Sequence, residues 1–168
     1  MLPELLAEVS TLGHAPRVVG VYRRTDLPIG KRDVVLALWR VSDPGNVGTL
    51  LRTADAFGAG VSLSPECADP TGPRALRASA GAIFRVPLCG WDDTPEPRIA
   101  LVAHDGDPFA DVELEPPLTL LLGSEREGLP EDLLAHSRRA TIPTPGAAES
   151  LNVAAAGAIA LYELARRS

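Results

Sequence analysis

Along the chain, apolar runs of strand length alternate with stretches that are apolar on one helical face. Val34–Val41 and Leu118–Leu122 are nearly continuous apolar runs, the pattern of strands covered on both sides. Shorter runs at Val61–Leu63, Ile83–Leu88, Ile99–Ala103 and Ala140–Ile142 read as further strands. Arg17–Arg24, with Val18, Val19, Val21 and Tyr22, reads as another. Asn46–Gly58 has helical spacing, with Val47, Leu50, Leu51 and Ala54 on one stripe and Asn46 standing where an N-cap belongs. A Pro/Gly turn at Pro70–Pro73 opens a brief helix through Arg77, and Pro130 opens another that runs to Ser137. The last helix spans Ser150–Arg166, Thr25–Arg32 is a linker, and an acidic, Pro-rich loop precedes Leu118. Strands alternating with helices predict an α/β fold, a mostly parallel sheet flanked by helices.

Composition narrows the class. A chain of 168 residues with 45% hydrophobic content supports one domain with a real core. No apolar run approaches the ~20 residues of a membrane span, so no membrane partner is expected. Met1–Ser10 has two Glu and no basic residue, unlike a secretory signal. Cys67 and Cys89 lack metal or redox spacing and read as reduced thiols of a cytoplasmic protein. His14, His104 and His136 are scattered, so no metal site is expected.

The net charge of −6 speaks against a general polyanion binder. Basic clusters at Arg23, Arg24, Lys31 and Arg32, at Arg74, Arg77 and Arg85, and at Arg138 and Arg139 each read first as solvated surface. Familiar phosphate and nucleophile motifs are missing. There is no G-x-G-x-x-G after a strand and no G-x-S-x-G elbow. Gly123–Gly128 is a glycine-bounded loop, but Leu129 and Pro130 follow where a P-loop needs Lys and Ser/Thr.

Three blocks carry candidate chemistry. The first, Pro44-Gly45-Asn46-Val47-Gly48-Thr49-Leu50-Leu51-Arg52-Thr53-Ala54-Asp55-Ala56-Phe57-Gly58-Ala59, follows a predicted strand. It sets Asn46 and Arg52 within two helical turns near the strand's carboxyl end, where open α/β sheets bind ligands. The second, Leu120-Leu121-Leu122-Gly123-Ser124-Glu125-Arg126-Glu127-Gly128-Leu129, is a buried strand ending in a loop with a carboxylate at its tip. The third runs from Ile142-Pro143-Thr144-Pro145-Gly146 to Ser150-Leu151-Asn152-Val153 and into an Ala-rich helix. An Asn one turn into that apolar helix requires a polar partner. In this order, the blocks resemble the signature motifs of the SpoU (TrmH-like) RNA 2′-O-ribose methyltransferases of the SPOUT superfamily. The resemblance covers Asp33 to the C-terminus.

The resemblance implies a C-terminal deep trefoil knot, an S-adenosylmethionine pocket built by it, and a homodimer with the active site near the subunit interface. It implies methylation of a ribose 2′-hydroxyl in ribosomal or transfer RNA. Asn46, Arg52, Glu125, Ser150 and Asn152 match the family's catalytic polar positions. Ala103, Leu122, Gly123, Ile142 and Leu151 are the expected cofactor-binding positions. Arg126 stands where the family often has Gly, Thr144 where Met is frequent, and Ala154 where a second Ser often follows Asn-Val. On this reading 33–168 is the catalytic domain, and 1–32 is an extension resembling the tail of an RNA-binding domain. The alternatives are a knotted module that binds RNA or cofactor without turnover, and a methyltransferase for another substrate class.

Overall fold

The computed structural model describes residues 18–147 and 149–167. Seven strands form one sheet: β1 (Val34–Leu38), β2 (Gly60–Leu63), β3 (Leu88–Cys89), β4 (Arg98–Leu101), β5 (Asp107–Pro108), β6 (Leu118–Leu122) and β7 (Arg138–Thr141). Their order across the sheet is β3-β2-β1-β6-β4-β7-β5, and every pairing is parallel. Four α-helices accompany them among the described residues: α1 (Pro44–Phe57), α2 (Pro73–Ser79), α3 (Glu131–Ala135) and α4 (Val153–Arg167). None is long and apolar enough to cross a membrane.

The central strands β1, β6 and β4 divide their side chains between two faces. Leu36, Leu38, Ile99, Leu118, Leu120 and Leu122 join the main core with α1 and α4. The alternate residues Ala37, Ala100 and Leu121 meet Leu129, Leu133, Leu134 and the ring pair Trp39–Trp91 on the other face. Small residues at 37 and 100 leave room for large rings and for a short helix there.

Two devices set α1. Asp43 is its N-cap, accepting a hydrogen bond from the Asn46 N–H at 2.9 Å, with Pro44 in the first turn. Val47, Leu50, Leu51 and Ala54 form its buried stripe, and Gly58 ends it in the left-handed region at φ 69°. Asn46 is therefore not the N-cap that the sequence pattern indicates. Asp43 reaches the free N–H groups first because Pro44 starts the helix two residues earlier.

α4 packs against both α1 and β6 through a missing side chain. A Cβ on Gly157 would lie 2.5 Å from Leu50 Cδ2 and 3.0 Å from Leu122 Cδ1. At the far end of α4, Arg167 donates to the carbonyls of Phe109, Ala110 and Val112, which ties the helix to the turn after β5.

Several expected elements differ. Residues 18–23 form no strand, and Val18 and Val21 are 82% and 95% exposed because no sheet edge pairs with them; Arg17 lies outside the described residues. The segment at Leu27–Gly30 does reach the sheet. Leu27 joins the core, Leu88 N–H donates to Pro28 and Gly30 N–H donates to Leu88. Ile83–Leu88 is not one strand. Left-handed Ala80 and Gly81 turn the chain into a 3-10 turn at Ala82–Phe84, and only Leu88–Cys89 pairs. The acidic loop holds the two-residue β5, which its prolines and carboxylates conceal. α4 begins at Val153 rather than Ser150, and Pro130 caps α3 from outside instead of opening it.

Candidate active site

The loops that leave β1, β4, β6 and β7 at their carboxyl ends converge, as ligand-binding loops of open parallel sheets do. The loops after β4, β6 and β7 enclose a cleft of about 620 Å³, and the loop after β1 meets it at Glu125. Ala103, Leu122, Gly123, Ile142 and Leu151 all line it, and so do Glu125, Ser150 and Asn152. Val102, Leu134 and Val153 add apolar wall that the motifs alone do not indicate.

A chain of hydrogen bonds runs along the rim. Asn152 stands just ahead of α4, and its Oδ1 accepts the N–H groups of Ala154 and Ala155 at 2.9 and 3.3 Å. It is thus the cap of that helix, not a residue one turn inside it. With its oxygen committed, its Nδ2 donates to Asn46 Oδ1 at 3.1 Å. Asn46 in turn points Nδ2 at Glu125 Oε1, at 2.9 Å. Helix capping at one end therefore fixes which way both amides face.

Glu125 receives further donors that the sequence did not reveal. Ser42 N–H, Ser42 Oγ and Asp43 N–H approach its carboxylate at 3.4–3.5 Å. Burial disfavours the charged form, but the bonds from Asn46, from its own N–H and from Ser42 and Asp43 outweigh that and hold its carboxyl below the usual range. Glu125 is therefore an ionised acceptor at neutral pH and a weak proton acceptor.

A folded-state value below the unfolded one gives stability that is present above the ordinary carboxylate range and is lost as pH falls through the lowered value. Glu125→Gln should flatten the decline in melting temperature below ~pH 4.5. An acid-side decline identical to the parent's would contradict this role.

Gly123 allows the second-motif loop to close. A Cβ there would strike the carbonyl carbon of Gly128 and lie 2.6 Å from Leu129 N. Ser124 and Gly128 exchange two backbone hydrogen bonds of 3.1 Å across the loop, with Gly128 in the left-handed region.

Arg52 stands apart. It is exposed on α1, has no hydrogen-bond or ion-pair partner among the described residues, and does not line the cleft. Asp55, the carboxylate close to it in sequence, is held instead by Arg85 through contacts of 2.6–3.2 Å. Arg52 thus keeps an uncompensated charge.

This geometry coincides with a sequence match. A model of the SpoU rRNA Methylase family matches residues 33–162. The chain belongs to the SpoU family. It is 36% identical to an uncharacterized tRNA/rRNA methyltransferase of Synechocystis sp., over 79% of this chain and 53% of that protein. It is 31% identical to the 23S rRNA (uridine(2479)-2′-O)-methyltransferase of Streptomyces viridochromogenes, over 99% of this chain and 66% of that protein. The AdoMet-bound rRNA methyltransferase structure from Sinorhizobium meliloti superposes with a TM-score of 0.75 at 34% identity, covering 84% of this chain and 59% of that one. The chain spans about half to two thirds of the length of these relatives.

The departures from the usual SpoU motifs have distinct settings. Arg126 and Thr144 both line the cleft, and Arg126 has no polar partner among the described residues. Ala154 is buried on the core side of α4, so a methyl group suits that position.

Proposed function

We propose that this chain is an S-adenosylmethionine-dependent methyltransferase acting on a ribose 2′-hydroxyl of ribosomal or transfer RNA in the cytoplasm. The observation that carries this reading is the Asn152–Asn46–Glu125 chain at the rim of a cleft formed by the carboxyl-end loops. The names of the Streptomyces and Sinorhizobium relatives support it.

The donor set of the cleft fits a sulfonium cofactor. Its walls are apolar at Leu122, Ile142 and Leu151, and Glu125, Glu127 and Glu149 stand against the single arginine Arg126. Such a lining suits an adenosyl group and a positive sulfur better than a phosphate. Ala103, Leu122, Gly123, Ile142 and Leu151 would hold the cofactor. When bound, it supplies an electrophilic methyl group for transfer to an oxygen. Glu125 and Asn46 orient the ribose hydroxyls through their remaining acceptor and donor sites. Ser150 offers a hydroxyl to the same cleft. Arg52 clamps the adjacent phosphate and stabilises negative charge that develops on the 2′-oxygen, because a guanidinium is not deprotonated and cannot serve as a base.

The same reading carries the family's trefoil knot in the C-terminal part. It assigns 33–168 as the methyltransferase domain, with 1–32 as an extension related to an RNA-binding domain. Isothermal calorimetry should show one S-adenosylmethionine site per chain. Folded protein that binds neither S-adenosylmethionine nor its demethylated product would contradict the cofactor assignment.

The active unit is a homodimer built on α1 and α4. Ile159 and Tyr162 remain 40% and 59% exposed on α4, in line with exposed Ala155, and Phe57 on α1 is 38% exposed. Spacing of i, i+4 and i+7 places the three α4 residues on one stripe. A dimer also gives Arg52, which lies off its own chain's cleft, a route to a target beside the interface. Sedimentation at micromolar concentration should give a dimer, and a monomer would overturn this assembly.

A further inference from the structure

We propose that Arg126 anchors the cofactor, its guanidinium pairing with the α-carboxylate of S-adenosylmethionine. The inference rests on the methyltransferase reading above and assigns one more group of that cofactor a partner on this chain. SpoU motifs often have Gly at this position, so the contact belongs to this chain's own version of the loop. Among the described residues that line the cleft, Arg126 is the one Arg or Lys. It is exposed and has no polar partner among the described residues. Its neighbours explain why its charge is left over. Glu125 is occupied by Asn46, Ser42 and Asp43. Glu127 has Arg40 at 3.7 Å, and Arg40 also pairs with Glu66. The loop itself is braced, since Ser124 and Gly128 exchange backbone hydrogen bonds and the Ser124 hydroxyl accepts the Glu127 N–H at 3.1 Å.

The charges of the ligand decide between the possible partners. S-adenosylmethionine carries a positive sulfur, a positive ammonium and one negative carboxylate. The lining is the complement of that pattern, with Glu125, Glu127 and Glu149 outnumbering the single cation. An RNA phosphate brings negative charge alone, and the surrounding carboxylates oppose it. A guanidinium also presents a planar fork of donors that matches a carboxylate with two parallel bonds. The cofactor carboxylate is therefore the anion this cleft admits, and Arg126 is the group that receives it.

The test is isothermal calorimetry with two ligands that differ only in this group, S-adenosylmethionine and decarboxylated S-adenosylmethionine. The ratio of their affinities should fall about tenfold in Arg126→Gln, the effect of one charge-assisted pair at an exposed site. The demethylated product keeps the carboxylate and lacks the sulfonium charge, so its affinity should fall by the same factor. The variant should melt with the parent, because Arg126 has no partner to lose. Arg126→Lys should recover part of the ratio, since the charge remains and the fork does not. Arg23→Gln, which removes an arginine that does not line the cleft, should leave the ratio at the parental value. Fluorescence anisotropy with a labelled single-stranded RNA should give equal binding by Arg126→Gln and the parent. An unchanged ratio in Arg126→Gln would overturn the proposal, and a loss of RNA binding beside it would make Arg126 a phosphate contact instead. An equal fall of the ratio in Arg23→Gln would overturn it too. A parent that binds neither S-adenosylmethionine nor its demethylated product would sink the cofactor assignment and this anchor together, whereas a parent that binds both, with an unchanged ratio in Arg126→Gln, removes the anchor alone.

Discussion

Arg52→Ala should lower methyl transfer by ~10²–10³-fold, the usual effect of removing one donor to a developing oxyanion, with S-adenosylmethionine affinity nearly unchanged. The separation of the two readouts follows from position. The guanidinium has no partner among the described residues and does not line the cofactor cleft, so its loss leaves both the helix and the cleft intact. α1 draws its stability from the buried stripe and from the Asp43 cap instead. Arg52→Lys should rescue poorly, since a compact ammonium cannot reproduce the planar donor fork. If Arg52 served only to brace its helix, activity, melting temperature and cofactor affinity would fall together. Full activity in a well-folded Arg52→Ala protein would reject the catalytic role.

The second large effect belongs to Gly123. The atoms that an Ala Cβ would meet are backbone atoms of Gly128 and Leu129, which cannot rotate away as a side chain would. Gly123→Ala should therefore open the Ser124–Gly128 loop and draw Glu125 away from Asn46. Overpacking of this kind costs ~1–3 kcal/mol of stability. Cofactor affinity should fall by about an order of magnitude or more, because the displaced loop forms one wall of the cleft. Gly146→Ala, in the loop after β7, meets nothing within 4 Å among the described residues and serves as the silent control. Calorimetry and thermal melts on the two variants would test this, and equal cofactor affinity in both would contradict it.

What could be read from the sequence follows from how local each signal is. Leu118–Leu122 was legible to the residue because a strand buried on both faces is nearly all apolar; its one polar residue, Thr119, donates its hydroxyl to the Pro95 carbonyl. The stripe of α1 was legible for a similar reason, at a period of 3.6. β3 and β5 were not, since two-residue strands pair through their backbones and leave no side-chain pattern. The polar network shows the same limit. The motifs gave Asn46, Glu125 and Asn152, yet the capping roles were reversed, because which residue reaches a free N–H depends on where the helix starts. The donors Ser42 and Asp43 lie 83 and 82 residues from Glu125 in sequence, and no local pattern joins them. Asp55 lies one helical turn from Arg52 along α1. Only the fold shows Arg85, 30 residues away from Asp55, taking it instead.

The most direct test of the account is to incubate the protein with tritiated S-adenosylmethionine and total RNA, digest to nucleosides and identify the labelled product. The account predicts label in a 2′-O-methylated nucleoside, which is lost in the Arg52→Ala protein. Label on a base, label in protein, or no transfer by protein that binds the cofactor would contradict it.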